Sequence, residues 1–133
     1  MPTKIPIKIP IETPTLFEAV GGAIVFERIV ENFYDGLSQD PILRPLYPVE
    51  LSESKKMMSL FLMQYFGGPT TYSEQRGHPR LRMRHLPFSI GQAERDGWIK
   101  HMKAAIEAEN LPPEISSAMM DYFERTATFM MNR

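Results

Sequence analysis

The chain contains no cysteine. Disulfides, thiol nucleophiles and cysteine-held zinc or iron–sulfur centres are therefore excluded, and a cytoplasmic setting is expected. Histidine is scarce, with three copies at His78, His85 and His101. No HExxH pair occurs among them, so a zinc site built from protein ligands alone is not expected. Charge of neither sign dominates: the formal net charge is −1, which gives no long-range field for nucleic acid or an anionic membrane. No apolar run approaches the roughly 20 residues that span a bilayer, and the start of the chain lacks a signal peptide's apolar stretch. No alternating pattern of the kind that builds strands survives beyond the first residues.

What is present is an ordinary mixture for one globular domain: 133 residues, 43% hydrophobic and 23% charged. Ten methionines suit an adaptable cavity lining and are also oxidation targets. Residues 1–14 carry proline at every fourth position (Pro2, Pro6, Pro10, Pro14), which forbids helix and favours an extended arm. The arm reads first as a floppy tail; the alternative is that Ile5, Ile7, Ile9 and Ile11, which alternate along it, pack on the domain or on a second subunit in a homodimer.

From Thr15 onward the pattern is helical. Thr15-x-x-Glu18 reads as a capping box opening a very short helix stopped by Gly21-Gly22. The next runs from about Ala23 to Leu37, with Phe26, Ile29, Val30, Phe33 and Leu37 on one face and Tyr34 at its edge. Asp40-Pro41 starts a single turn that ends near Tyr47-Pro48. Ser52 is expected to cap a helix over Glu53 to Phe66, with Met57, Met58, Phe61, Leu62 and Tyr65 inward. Ser89-x-x-Gln92 reads as a second capping box, for a helix to about Ala108 that buries Trp98, Ile99, Met102, Ala105 and Ile106. A last helix follows Pro112-Pro113, with Ile115, Met119, Tyr122, Phe123, Thr126, Phe129 and Met130 inward. The expected class is all-α, with residues 15–133 as one domain.

The stretch Gly67 to Phe88, GGPTTYSEQRGHPRLRMRHLPF, stands apart. Its first half is crowded with helix breakers and is expected to run irregularly. Pro79 can then open a short helix over Arg80 to Leu86 as its first residue, before Pro87 discourages continuation. His85 lies near the end of that helix. A lone histidine is more often a surface or core residue than a ligand. One is nevertheless enough for haem, whose porphyrin supplies four nitrogens itself, and on spacing alone haem is one of several readings.

This stretch, followed by ERDGW at Glu94 to Trp98, resembles the second group of the truncated haemoglobins. FEAVGG at Phe17 to Gly22, Phe33-Tyr34, LYP at Leu46 to Pro48 and MQYFGG at Met63 to Gly68 extend the likeness over most of the chain from Leu16. The resemblance implies a globin-like two-over-two helical sandwich enclosing haem b (iron protoporphyrin IX). It implies His85 as the proximal iron ligand, whose other ring N–H needs an acceptor to orient it. Arg84 and Tyr72 become candidates for the haem propionates, and Tyr34, Tyr47 and Trp98 for distal hydrogen-bond donors to a diatomic gas. Ser54 falls where many globins carry a larger distal residue, which would leave an entry for ligand. Met58, Phe61, Leu62, Leu81, Phe88 and Met102 would form the apolar cage. His78 and His101 read as structural or surface residues.

The functions so implied are oxygen binding or transport, with carbon monoxide and nitric oxide as further ligands. An enzyme on the same site, by nitric oxide dioxygenation or peroxide reduction, is the alternative, and it requires an external reductase. The local basic cluster of Arg76, His78, Arg80, Arg82, Arg84 and His85 could meet nucleic-acid phosphates. The rest of the chain is slightly acidic and lacks a wider basic face, so neither nucleic acid nor membrane is expected as a partner.

Overall fold

The computed structural model describes residues 14–133. The proline-rich arm expected over 1–14 lies outside the described residues but for Pro14. Seven α-helices follow: α1 (Leu16–Val20), α2 (Ala23–Ser38), α3 (Ser52–Tyr65), α4 (Thr71–Arg76), α5 (Leu81–His85), α6 (Gln92–Glu107) and α7 (Pro113–Phe129), with a 3-10 turn at Arg44–Leu46 between α2 and α3. No strand occurs among the described residues. Helix α2 packs on both α3 and α6, and α6 packs on α7. The pairs α2/α3 and α6/α7 thus form the two layers of a two-over-two sandwich.

Local chemistry accounts for most boundaries. The Thr15–Glu18 capping box is present in both directions: the Glu18 N–H donates to Thr15 Oγ1 at 3.1 Å, and the Thr15 N–H to Glu18 Oε1 at 3.0 Å. Gly21 closes α1 and Gly22 precedes α2, at φ +119° and +80°, a region that costs a residue with a Cβ far more than it costs glycine. Asp40 Oδ1 accepts from the Ile42 and Leu43 amides at 2.9 and 3.3 Å, capping the turn before α3.

Four local expectations are corrected. Ser52 is the first residue of α3, not its cap, because the Glu50 carboxylate takes both its N–H and its hydroxyl. The box before α6 is not Ser89–Gln92: Glu94 accepts the Gly91 N–H at 2.8 Å, while Gln92 donates to Asp96 instead. A charged acceptor wins each time. Pro79 does not open α5, since Arg80 intervenes in the left-handed region at φ +49°, its N–H donated to His78 Nδ1 at 3.1 Å. Between the helix breakers lies the unexpected α4, whose Ser73 is gripped by Gln64 of α3 through its N–H (2.9 Å) and its hydroxyl (2.7 Å).

The core sits where the layers meet. Phe26, Ile29, Phe33, Leu37, Met102, Ile106, Met119 and Phe123 are fully buried, each stabilising the fold by about 1.5–3 kcal/mol. Phe129 and Tyr65, expected inward, are instead 61% and 51% exposed. Tyr65 stacks on Tyr122 at 3.9 Å between centroids, an aromatic contact that does not require burial. Successive ring contacts run from Phe17 through Phe26, Phe66, Phe123, Trp98 and Phe33 to Tyr34 and Tyr47, with centroids 5.1–6.0 Å apart. The last members of this series border a cavity.

Candidate functional site

The cavity, of about 470 Å³, lies between the two helix layers and is closed on one side by α4, α5 and the segment after it. Its size is that of a site for a cofactor or small ligand. His85, Arg84, Tyr72, Met58, Phe61, Leu81, Phe88, Tyr34, Tyr47, Trp98 and Ser54 all line it. Leu62 does as well, whereas Met102 is buried in the core behind it.

His85 ends α5, and its Nδ1 lies 2.6 Å from the Leu81 carbonyl oxygen one turn earlier. A carbonyl can only accept, so Nδ1 carries the proton and the lone pair of the neutral ring sits on Nε2. That carbonyl is the acceptor the sequence could not name. It fixes both the tautomer and the ring direction. Among the described residues no group of three His, Cys, Asp or Glu side chains could hold a metal ion. A single imidazole in a largely apolar cavity therefore suits a metal that arrives with its own donor ring, and the residues present fit haem.

Tyr34 comes from α2, Tyr47 from just beyond the 3-10 turn and Trp98 from α6. Tyr34 and Tyr47 meet edge to face at 5.7 Å, and Trp98 packs on Phe33 at 5.1 Å, beside Tyr34. Burial pushes the Tyr34 phenol well above its ordinary range, with Tyr47 adding to the effect. Burial likewise pushes Tyr47 up to about 12, while the Trp98 side chain opposes the shift. Both hydroxyls thus remain neutral O–H donors at physiological pH.

Around the rim, Arg84 Nε donates to the Pro79 carbonyl at 2.8 Å, and the phenol ring of Tyr72 packs on Phe61 at 5.5 Å. Three further charged residues line the cavity: Arg76, Glu94 and Arg95. Arg76 pairs with Glu53 at 3.2 Å, Glu94 with Arg133 at 2.8 Å, and Arg95 donates to Thr128 Oγ1 at 3.1 Å. Sequence reasoning missed all three, although Glu94 and Arg95 stand one turn before Trp98 on α6. Tyr122, Phe123, Thr126 and Met130, from α7 and the residue after it, form the far wall. His101 lies outside the cavity, with Nε2 2.8 Å from Asp40 Oδ2, an arrangement that holds the Asp40 carboxyl below its usual range. His78 is spent on the Arg80 amide.

The family model for bacterial-like globins matches residues 15–132. The group 2 truncated hemoglobin YjbI of Bacillus subtilis is 38% identical over 117 residues, covering 88% of each chain. Among solved structures, the hemoglobin of the thermophilic phototrophic bacterium Chloroflexus aurantiacus superposes with a TM-score of 0.89 at 54% identity, over 91% of this chain and all of that one. The truncated oxygen-avid haemoglobin of Bacillus subtilis gives a TM-score of 0.85 at 38% identity, over 90% of this chain and all of that one.

Proposed function

Because the chain belongs to the bacterial-like globins, as a group II truncated haemoglobin, we propose that it holds haem b through His85 and binds dioxygen reversibly, with Tyr34 as the principal distal donor. The observation that carries this reading is the lock on His85 Nδ1 by the Leu81 carbonyl, which leaves Nε2 as the free donor in the same cavity as Tyr34, Tyr47 and Trp98. Haem held by His85 would supply an iron able to bind a diatomic gas; carbon monoxide and nitric oxide are ligands of the same kind. His85 donates from one side. Tyr34, Tyr47 and Trp98, lining the same cavity, would offer neutral O–H and N–H groups that hold an electron-rich ligand and slow its escape.

Arg84 and Tyr72 take the propionates: the remaining guanidinium N–H groups form charge-assisted bonds to carboxylate, and the phenol adds one more. Met58, Phe61, Leu81 and Phe88 exclude water, and Ser54 leaves the way in for gas. Residues 15–133 act as one globin domain. No helix among the described residues is long and apolar enough to cross a membrane.

The second reading is turnover on the same site, by nitric oxide dioxygenation or peroxide reduction. One observation favours it: three side chains with donor groups, Tyr34, Tyr47 and Trp98, line a single cavity, and tight holding suits chemistry better than delivery. The B. subtilis relative is itself described as oxygen-avid. Such turnover draws electrons from a separate reductase, in a cytoplasmic setting. Whether the arm forms a dimer contact bears on neither reading. The test is nitric oxide consumption by the dioxygen-loaded protein with a reductant in excess. Consumption that stops at one equivalent leaves reversible binding as the function, and many turnovers establish the enzyme. A protein that takes up neither dioxygen nor carbon monoxide overturns both.

A further inference from the structure

Helix α5 cannot hold itself. It has five residues, its N-cap Arg80 offers no side-chain hydrogen bond, and none of its residues is fully buried. Helices this short are unstable alone because the nucleation cost is not repaid. Beyond the local bond from Arg84 to the Pro79 carbonyl, the hydrogen bonds that tie α5 to the rest of the fold come from residues 129–132, more than 40 positions further along the chain.

Two side chains make the link. Arg82 Nη1 donates to the Phe129 carbonyl at 2.6 Å, and its guanidinium lies 5.2 Å from the Phe129 ring centroid. Asn132 does more. Its Nδ2 donates to the Phe88 carbonyl at 2.7 Å and to the His85 carbonyl at 3.4 Å. Its Oδ1 accepts the Ile90 N–H at 2.8 Å, and its own N–H donates to the Ile90 carbonyl at 2.9 Å. The donors and the acceptor of this amide are thus all spent on residues 85–90. The His85 carbonyl, at the end of a helix, already accepts the Phe88 N–H at 3.0 Å, so Asn132 adds a second, longer bond to it and ties it to the Phe88 carbonyl.

We propose that Asn132 is a positioning residue for the proximal histidine: it clamps the main chain of His85 and Phe88 while the Leu81 carbonyl holds the ring, so that the imidazole is fixed at two points. The inference rests on the reading of His85 as the iron ligand. With Asn132 lost, residues 85–88 pivot about the Leu81 contact and the ring tilts within the cavity.

The experiment compares Asn132→Ala and Asn132→Asp with wild type, each as holoprotein. Asp keeps the shape and the bond from the Ile90 N–H but turns oxygen lone pairs toward the Phe88 and His85 carbonyls. The readouts are the iron–histidine stretching band in resonance Raman spectra of the dithionite-reduced protein, and the rate of haem transfer to excess apomyoglobin. Both variants shift or broaden the band and lose haem about 3- to 10-fold faster, as expected for one or two hydrogen bonds. A band at the wild-type position in both variants, even with a lowered melting temperature, makes Asn132 a general staple and overturns the proposal. So does an Asn132→Asp protein indistinguishable from wild type. Should neither variant fold, Arg82→Ala, which frees α5 from Phe129 at an exposed position, must shift or broaden the band relative to wild type; an unmoved band overturns the proposal. A wild-type protein with no such band refutes the ligand reading of His85 instead, which separates the two failures.

Discussion

Replacing Tyr34 by phenylalanine removes one oxygen from the cavity wall and little else. The ring is 3% exposed and packs on Phe33 at 5.2 Å and Tyr47 at 5.7 Å, contacts that phenylalanine keeps. The fold should therefore hold its stability at neutral pH. The ligand should not hold its residence time. A hydrogen bond to a partly charged acceptor in a dry cavity is worth about 1.5–3 kcal/mol, and each 1.4 kcal/mol is about a factor of ten. The dioxygen dissociation rate should rise about 10- to 100-fold, read by stopped-flow displacement with carbon monoxide. Carbon monoxide, a poorer acceptor, should leave at nearly its original rate, which separates loss of a donor from general loosening. A dioxygen rate within twofold of wild type would refute Tyr34 as the principal donor. Donation would then fall to Tyr47 and Trp98.

Three further outcomes follow from the same geometry. Burial raises Tyr47 and Tyr122 to about 12, so the stability of keeping them neutral is full below pH 10 and lost as pH climbs toward 12. With Tyr34, which burial raises further still, urea midpoints should correspond to a loss of about 4 kcal/mol between pH 9 and 11, and a flat profile contradicts this. Gly36→Ala should destabilise by about 1–3 kcal/mol, because a Cβ there would lie 2.5 Å from His101 Nδ1 and push the ring off Asp40; an unchanged melting temperature refutes it. Ser54→Leu should slow carbon monoxide association while sparing haem retention, and an unaltered rate removes Ser54 as the entry.

The apolar faces of α2 and α6 were legible because their period is unbroken and each buries one side: Phe26, Ile29, Phe33 and Leu37, then Met102 and Ile106, all lie in the core. The glycines at 21 and 22 and the prolines at 112 and 113 marked ends that the backbone itself dictates. Legibility failed where two acceptors compete. Glu50 and Glu94 displaced Ser52 and the Ser89–Gln92 pair, because a carboxylate binds an amide hydrogen more strongly than a hydroxyl or a carboxamide does. Helix α4 escaped notice because its support, Gln64, lies in another helix. The cavity lining was readable from His85, Tyr34 and Trp98 through resemblance. The Leu81 carbonyl beneath His85 was not, since every residue has such a group and only the fold selects one. The same holds for Asn132, whose partners lie more than 40 residues away.

If His85 is the residue through which this chain keeps haem, its loss must show in the colour of the protein. The most direct measurement is the absorbance spectrum of purified His85→Gly beside wild type, reduced with dithionite, under carbon monoxide, with and without added imidazole. Wild type should show a sharp Soret band that moves on addition of the gas; the variant should be nearly colourless and regain the band when imidazole fills the space. A variant that retains the wild-type spectrum without imidazole, or a folded wild type that refuses hemin, would contradict it.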